Sequence, residues 1–444
     1  MTNRHAMRLL LPVTLSLLAA CSSSLPSGLG ATDHPGQVAA RYDTVVTVPL
    51  AAQDTRASLE TRSGGTVLSW DNTGCSAQDV GSCQAVLGLN DGGGRLSSQA
   101  LSTLSSRLGR QLAAEQNRDQ FSGGGAITAT LSGSMAIWAG GSMAIWAGGS
   151  YAPVPQNTAV WKTLHLQQAQ TLAPNLGAGV TVAVIDTGLD LNHPAFRGAL
   201  TDPATWWDFY GGDAVPQDEG VLGSGAYGHG TNVAGIILQV APRAKIMPLR
   251  VLGPDGSGDS LNVASAINWA VAKGANVINL SLGSAQESKL VLDAVKAATA
   301  RNVLVVSSAG NSNSDKMTYP AANADKNAGL LSVGSVNAVD IKSSFSNYGK
   351  ALELMSPGEN VYAPAPGGML AAWSGTSQAA PMASGGLALA LGQGTTGAAS
   401  GLVDRLTGSA VAIDSLPLNK PFADKLGEGR LDLAAFLASP ASDK

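Results

Sequence analysis

Three short segments of this 444-residue chain hold residue types that can do nucleophilic chemistry. Ser377 lies in Ser374-Gly-Thr-Ser-Gln-Ala-Ala-Pro381, ahead of an Ala/Leu-rich run to Leu391 that predicts a helix. A serine hydroxyl is a poor nucleophile at neutral pH and needs a base to take its proton. His229, in Gly228-His-Gly-Thr231, is the candidate base, since an imidazole ordinarily titrates near ~6.5. The other histidines are His5 in an apolar leader, His34 in a polar tether, His165 in a helical lead-in and His193 in an Asn-His-Pro turn. Only His229 is flanked by two glycines, Gly228 and Gly230, which allow close backbone approach. Asp186, in Val184-Ile-Asp-Thr-Gly188, can hold the ring in one tautomer and stabilise its charged form. Taken singly, each has a plainer reading: Thr376 and Ser377 as a helix cap, His229 as a structural histidine.

Such groups need a scaffold. Val180 to Ile185, Ala244 to Leu252, Asn276 to Leu280, Val303 to Val306 and Leu330 to Val333 are short apolar runs that predict strands. Leu261 to Ala272 and Leu290 to Ala300 carry apolar residues at helical spacing. Alternating strands and helices imply βαβ units and a mostly parallel sheet flanked by helices, an α/β class. Ligands of such sheets sit at the carboxyl ends of the strands. In the predicted helix after Ser377, that residue falls in the first turn, where backbone N–H groups lack partners. Pro381, four residues on, cannot donate to the carbonyl of Ser377.

The three motifs, in the order Asp186, His229, Ser377 and spread over residues 157–436, resemble the subtilisin-like (subtilase) serine protease family. The resemblance implies a serine endopeptidase that acts on polypeptide substrates through an acyl-enzyme. It implies that Asn311, in Ser307-Ser-Ala-Gly-Asn311, donates its side-chain amide to the oxyanion; losing that donor costs a subtilisin about 10²–10³ in turnover. It also implies that Ser281, Leu282 and Gly283 on one side, and Gly256, Ser257 and Gly258 on the other, pair with an extended substrate. No acid lies in Ser281 to Gly283 or Ser308 to Ser312, so an apolar residue is expected before the cleaved bond. Two positions depart from the family pattern: Asn232 stands where a second histidine is usual, and Gln378 where methionine is usual. No cofactor is required for the chemistry. Structural calcium is frequent in the family, and Asp208, Asp213, Asp218 and Glu219 offer oxygens in one loop, but a solvated acidic loop reads equally well and the metal ligands are unknown.

The remaining chain is organised around export. Arg4 and Arg8 precede an apolar run ending Leu18-Ala-Ala-Cys21. That is a signal peptide over residues 1–20, and its end resembles a lipoprotein box in which Cys21 is lipidated; ordinary cleavage near Cys21 is the alternative. Residues 21–40 read as a tether. Residues 41–121 read as a small α+β region, with strands near 45–48, 66–70 and 85–87 and a helix within 96–118. Cys75 and Cys83 are expected to form a disulfide outside the cytoplasm. Residues 122–156 form a Gly-rich linker with a perfect tandem repeat, Gly133-Ser-Met-Ala-Ile-Trp-Ala-Gly140 and the identical 141–148. The preferred reading is a duplication in a linker or extended strand, the other an apolar segment that docks on a surface. Residues 157–444 are the catalytic domain. By position, the 22–150 region matches the family's prodomain, an intramolecular inhibitor, with cleavage expected between Gly148 and Val160.

Composition agrees with an extracellular or cell-envelope location. Charged residues are 13% and the net charge is -4, which excludes a nucleic-acid binder with a dominant basic surface. The rival from another class is a noncatalytic surface lipoprotein that keeps the fold as a binding module. Because Gln378 removes an oxidisable sulfur beside Ser377, wild type is expected to survive peroxide better than Gln378→Met; equal residual activity after exposure would refute this.

Overall fold

The computed structural model describes residues 42–123 apart from 43, 52, 72–82, 91–95 and 118, then 135–139, and 155–439 apart from 222 and 395–397. The expected leader 1–20, the tether with Cys21, Cys75 and the second repeat copy lie outside the described residues.

The N-terminal region is a four-stranded antiparallel sheet with two helices. Its elements are β1 (Thr44–Pro49), α1 (Arg56–Ser63), β2 (Thr66–Asp71), β3 (Gln84–Leu89), α2 (Ser98–Leu108) and β4 (Ala113–Gln116), in strand order β2-β3-β1-β4. Alternation along β1 places Val46 and Val48 in a small core with Leu59, Leu87, Leu104 and Leu108. Cys83 is buried and disulfide-bonded. The helix expected within 96–118 is shorter than its leucine spacing suggests. Gly109 takes φ 70 and closes α2, a left-handed cap that glycine tolerates, and the chain re-enters the sheet as β4. Helix α1 has no strong apolar stripe; a reciprocal cap between Thr55 and Ser58 starts it.

Two strands follow from the expected linker, β5 (Asp119–Gly123) and β6 (Met135–Ala139). The C-terminal region then opens with α3 (Thr158–Thr163) and α4 (Leu166–Leu172). It continues through β7 (Thr181–Asp186), β8 (Trp207–Asp208), α5 (His229–Val240), β9 (Lys245–Arg250), β10 (Ser257–Asp259), α6 (Ser260–Ala272), β11 (Val277–Leu280) and β12 (Leu282–Gly283). After these come α7 (Lys289–Ala300), β13 (Leu304–Ser308), β14 (Leu330–Val336), β15 (Leu354–Pro357), β16 (Val361–Ala365), β17 (Met369–Ser374), α8 (Thr376–Gly392), α9 (Ala399–Gly408) and α10 (Leu433–Ala438).

Seven strands form one parallel sheet, in the order β15-β14-β13-β11-β7-β9-β8. Successive side chains of a strand point to opposite faces. In β7, Val182 and Val184 join Val233, Ile236 and Ile237 of α5 and Ala383 and Leu387 of α8. Ala183 and Ile185 join Leu261 and Ile267 of α6 and Val291 and Val295 of α7 on the other face. Both faces are therefore covered, as the near-continuous apolar runs of these strands require. Each fully buried Val or Leu contributes roughly 1.5–3 kcal/mol.

The N-terminal sheet packs on the same side as α6 and α7, through Val45, Leu68 and Val86. Its Glu115 carboxylate accepts from Ser288 Oγ (2.7 Å) and Lys289 N (2.9 Å), at the start of α7. A carboxylate is favoured there by the unpaired N–H groups and the helix dipole. Glu115→Ala, in a Ser377→Ala background, is expected to weaken this docking by about 1 kcal/mol. Amide exchange of β1 and β3 should then quicken about fivefold; unchanged exchange would contradict the contact's role.

Candidate active site

Asp186 ends β7, at the carboxyl edge of the sheet, and His229 begins α5. Both side chains are fully buried, with His229 Nδ1 2.7 Å from Asp186 Oδ1. The same oxygen accepts Thr187 N at 2.8 Å. This contact leaves Nε2 as the other ring nitrogen, buried and without a hydrogen-bond partner among the described residues. The glycine after the histidine is a steric necessity. A Cβ on Gly230 would stand 2.2 Å from Gly188 O and 3.1 Å from Asp186 Cβ, so any side chain there would push α5 off β7. Trp373 of β17 closes the other side of the imidazole, edge-on with ring centroids 5.6 Å apart.

Ser377 is the second residue of α8, 2% exposed. Its Oγ donates to Ser281 O at 3.1 Å, and Ser281 Oγ donates back to Ser377 O at 2.8 Å. The second bond answers the constraint read from Pro381, which leaves the Ser377 carbonyl without its intrahelical donor. Ser281 Oγ also accepts from Asn279 Nδ2 (2.9 Å), and Asn279 Oδ1 accepts from Ser384 Oγ (2.8 Å). The turn that carries Ser377 thus rests on a fully buried polar chain in which each member is paired. In this structure the Ser377 hydroxyl is turned to Ser281 rather than to the imidazole; catalytic hydrogen bonds commonly tighten only around substrate.

Asn311 follows β13 and is oriented by its neighbour in space. Its Oδ1 accepts Thr376 N at 2.8 Å and Thr376 Oγ1 at 2.9 Å, while Thr376 Oγ1 accepts Gly310 N. With the oxygen so held, the amide nitrogen is the group left to donate. Sequence reasoning named Asn311 but missed Thr376 as the residue that sets its flip.

The two segments expected to flank substrate are β10 and β12, and between them runs β5. Ser122 is registered with Ser257 on one side and Gly283 on the other; Gly123 faces Leu282. Both pairings are antiparallel. The glycines here answer to the protein behind them. Gly256 takes φ 85, and a Cβ on Gly283 would stand 2.4 Å from Thr318 Oγ1. Farther along the chain, β6 pairs with β17 from Met135↔Ser374 to Ala139↔Leu370, so five of the eight residues of the first repeat copy lie against the strand that leads into Ser377. The two departures from the family pattern meet: Gln378 Nε2 donates to Asn232 Oδ1 at 3.4 Å, both side chains buried.

The acidic loop divides. Arg250 pairs with Asp208 (3.0 Å) and Glu219 (2.8 Å) through one nitrogen. Among the described residues no group of three or more His, Cys, Asp or Glu is arranged to hold a metal. Asp218 belongs to the site instead. It is 2% exposed, accepts from Thr231 Oγ1 at 2.8 Å, and is faced by the backbone N–H groups of Gly228 and Thr231. Helix α5 has glycine at its cap and no side-chain cap of its own; Asp218 supplies one from the preceding loop. Burial, with the like charge of Asp186 nearby, pushes the Asp218 carboxyl up to about 7.

The sequence model of the subtilase family matches residues 177–410, just over half of the chain. Subtilisin Savinase of Lederbergia lenta is 39% identical over 224 residues, 48% of this chain and 76% of that protein. Thermitase of Thermoactinomyces vulgaris is 36% identical over 228 residues, covering 49% and 77%. The alkaline protease of Shouchella clausii is 39% identical over 224 residues, 48% of this chain and 54% of its own length. A parallel α/β sheet with Asp, His and Ser motifs at its carboxyl edge defines a subtilisin-like serine endopeptidase. The chain belongs to the subtilase family.

The Asp218 environment has a pH consequence. A carboxyl whose native pKa lies above its unfolded value favours folding while protonated, and that contribution is lost as pH rises from about 4 through about 7. Asp218→Asn is neutral throughout. In a Ser377→Ala background its stability advantage over the parent, from urea unfolding, should grow by about 1 kcal/mol or more between pH 5 and pH 8. A constant or shrinking advantage would contradict the assignment.

Proposed function

We propose that the chain is an exported serine endopeptidase made as a zymogen, its catalytic residues Asp186, His229 and Ser377. Ser377 Oγ attacks a peptide carbonyl, and His229 Nε2 takes its proton and passes it to the leaving amine. The acyl-enzyme is then hydrolysed by a water that His229 activates. The Asn311 amide and the Ser377 backbone N–H receive the oxyanion. The buried contact between Asp186 and His229 supports the roles of the pair, and the grip of Thr376 on Asn311 supports the orientation of the donor.

The observation that carries the reading is β5, an extended segment held antiparallel between β10 and β12. This is how a peptide substrate would be held by backbone pairing, and it supports residues 41–121 as an intramolecular inhibitor that leaves through β5. Because β5 pairs with β10 and β12 while β6 pairs with the strand that leads into Ser377, the pairings favour self-cleavage between Gly123 and Met135, upstream of the Gly148–Val160 window. Ser257, Gly258, Ser281, Leu282 and Gly283 bind substrate, with Gly256 shaping the turn. Signal cleavage and lipidation at Cys21 rest on the sequence of the leader; among the described residues no helix is long and apolar enough to cross a membrane. The noncatalytic reading is disfavoured by the intact set Asp186, His229, Asn311 and Ser377.

Residues 22–444 and the same chain with Ser377→Ala are compared for casein cleavage and N-terminal sequence. The parent should cleave casein and show a new N-terminus between Gly123 and Met135, and the variant should do neither. Equal cleavage by both forms, or by neither, would sink the assignment.

A further inference from the structure

Thr376 holds the Asn311 side chain, but the loop that carries Asn311 is held by a residue that none of the motifs marks. After β13 the chain runs through Gly310-Asn-Ser-Asn-Ser-Asp-Lys316, a stretch with no apolar side chain. Packing on a core cannot fix its course, so its polar backbone must find partners that do.

Asn347, 1% exposed, supplies them. Its Oδ1 accepts Ser312 N at 2.9 Å and Ser314 N at 3.0 Å. Its Nδ2 donates to Ala309 O at 3.0 Å and to Lys316 O at 3.2 Å. A carboxamide offers two donor and two acceptor positions, and all of them are taken up by this one loop. The Asn347 backbone N–H donates to Gly310 O at 2.9 Å. The two peptide units that adjoin Asn311, through Gly310 O and Ser312 N, are thus both bonded to Asn347. The glycine of the Ser-Ser-Ala-Gly-Asn motif answers to the same residue. Gly310 takes φ 101, and a Cβ there would stand 2.4 Å from Asn347 Nδ2.

Asn347 is itself tied to the sheet. Ser346 Oγ accepts Ser335 N of β14 at 2.9 Å and donates to Asn347 O at 3.0 Å, while Ser343 N donates to Ser335 O at 2.8 Å. From the same segment Lys342 Nζ donates to Asn313 Oδ1 at 2.8 Å, and Phe345 O accepts Asn313 N at 2.7 Å. The strand next to β13 therefore reaches the loop through residues 342–347.

We propose that Asn347 is a positioning residue for peptide hydrolysis: bonded to the peptide units on both sides of Asn311, it sets where the Asn311 amide stands as charge develops on the substrate oxygen. The inference rests on the reading of Asn311 as the oxyanion donor. Thr376 fixes which way that amide faces, and Asn347 fixes where its backbone stands. Such a donor works at about 2.7–3.1 Å from the oxyanion, and a misplacement of about 1 Å can cost about 10²-fold in rate. The loss falls on kcat, because the charge exists only after attack, and the proposed substrate edges β10 and β12 lie outside this loop.

The test is a double-mutant cycle in the full chain between Asn347→Ala and Asn311→Ala. Asn347→Ser, whose hydroxyl can keep one of the bonds, runs through the same cycle and carries it if the alanine variant does not fold. Near-ultraviolet circular dichroism confirms each fold. Values of kcat and KM are read on a chromogenic peptide and normalised by active-site titration, so that incomplete self-processing does not enter. Asn311→Ala should lower kcat about 10²–10³-fold. Each Asn347 variant should lower kcat about fivefold or more with KM within about twofold. In the Asn311→Ala background the same Asn347 variants should change kcat by less than about twofold, since the group they act through is gone. An equal loss in both backgrounds, a loss carried by KM, or no loss would overturn the positioning role while leaving the donor reading intact. An unchanged kcat in Asn311→Ala alone would remove the donor reading and the proposal with it.

Discussion

A carboxylate and an imidazole are buried together at the edge of this sheet, and most of the surrounding structure is what that burial demands. Charged groups taken out of water cost several kcal/mol unless their remaining hydrogen-bonding capacity is met. Asp186 meets part of it with Thr187 N and with the His229 ring. The approach of α5 to β7 that brings the two together is possible only because Gly230 has no Cβ to meet Gly188 O. The start of α5 is in turn held by Asp218 and Thr231, and Thr231 Oγ1 also accepts the backbone N–H of Asp190 in the loop after β7. Strand end, helix start and loop are one connected arrangement that leaves His229 Nε2 buried and unpaired among the described residues.

Ser377 is positioned by a different device. Pro381 breaks the hydrogen-bond ladder of α8 at the carbonyl of Ser377, and Ser281 repairs the break from the neighbouring strand end. The repair ties the Ser377 backbone to the segment that leads into β12, the strand paired with β5, so Ser377 and that edge share one anchor. Thr376, beside it, holds Asn311 from the next strand along. Three carboxyl ends of one parallel sheet, those of β7, β11 and β13, thus converge on a volume entered by two helix N-termini, α5 and α8. The sheet's register is the means by which residues far apart in sequence reach a few ångströms of one another.

Much of this was legible beforehand. The strands β7, β9, β11, β13 and β14 were visible as mostly apolar runs because they are buried on both faces. The motifs marked Asp186, His229 and Ser377 as candidates because small residues crowd around them, for steric reasons that Gly230 makes explicit. What escaped the sequence is physically intelligible. Asp218 read as one of four acids in a loop, because nothing local shows that Arg250 takes Asp208 and Glu219 while Asp218 turns inward to cap α5. Thr376 and Ser384 look like common small polar residues until Asn311 and Asn279 stand beside them. The leucine spacing from 96 onward overran a helix that a left-handed Gly109 ends. The linker assigned to 122–156 holds strands that exist only by pairing with β10, β12 and β17, and a strand without a core of its own carries little local signal.

The central claim is that Asp186, His229 and Ser377 act as one unit, built by the buried contact and delivered to one peptide bond. The most direct measurement is a full mutant cycle, with alanine at each position singly, in pairs and all together, read as kcat on a chromogenic peptide after confirming that each variant is folded. Groups that act as a unit are grossly non-additive. The account predicts that the triple variant is no slower than Ser377→Ala alone, with a residue of catalysis left to Asn311 and the Ser377 backbone N–H. Losses that instead multiply across the three positions would mean that they contribute separately, and would contradict it.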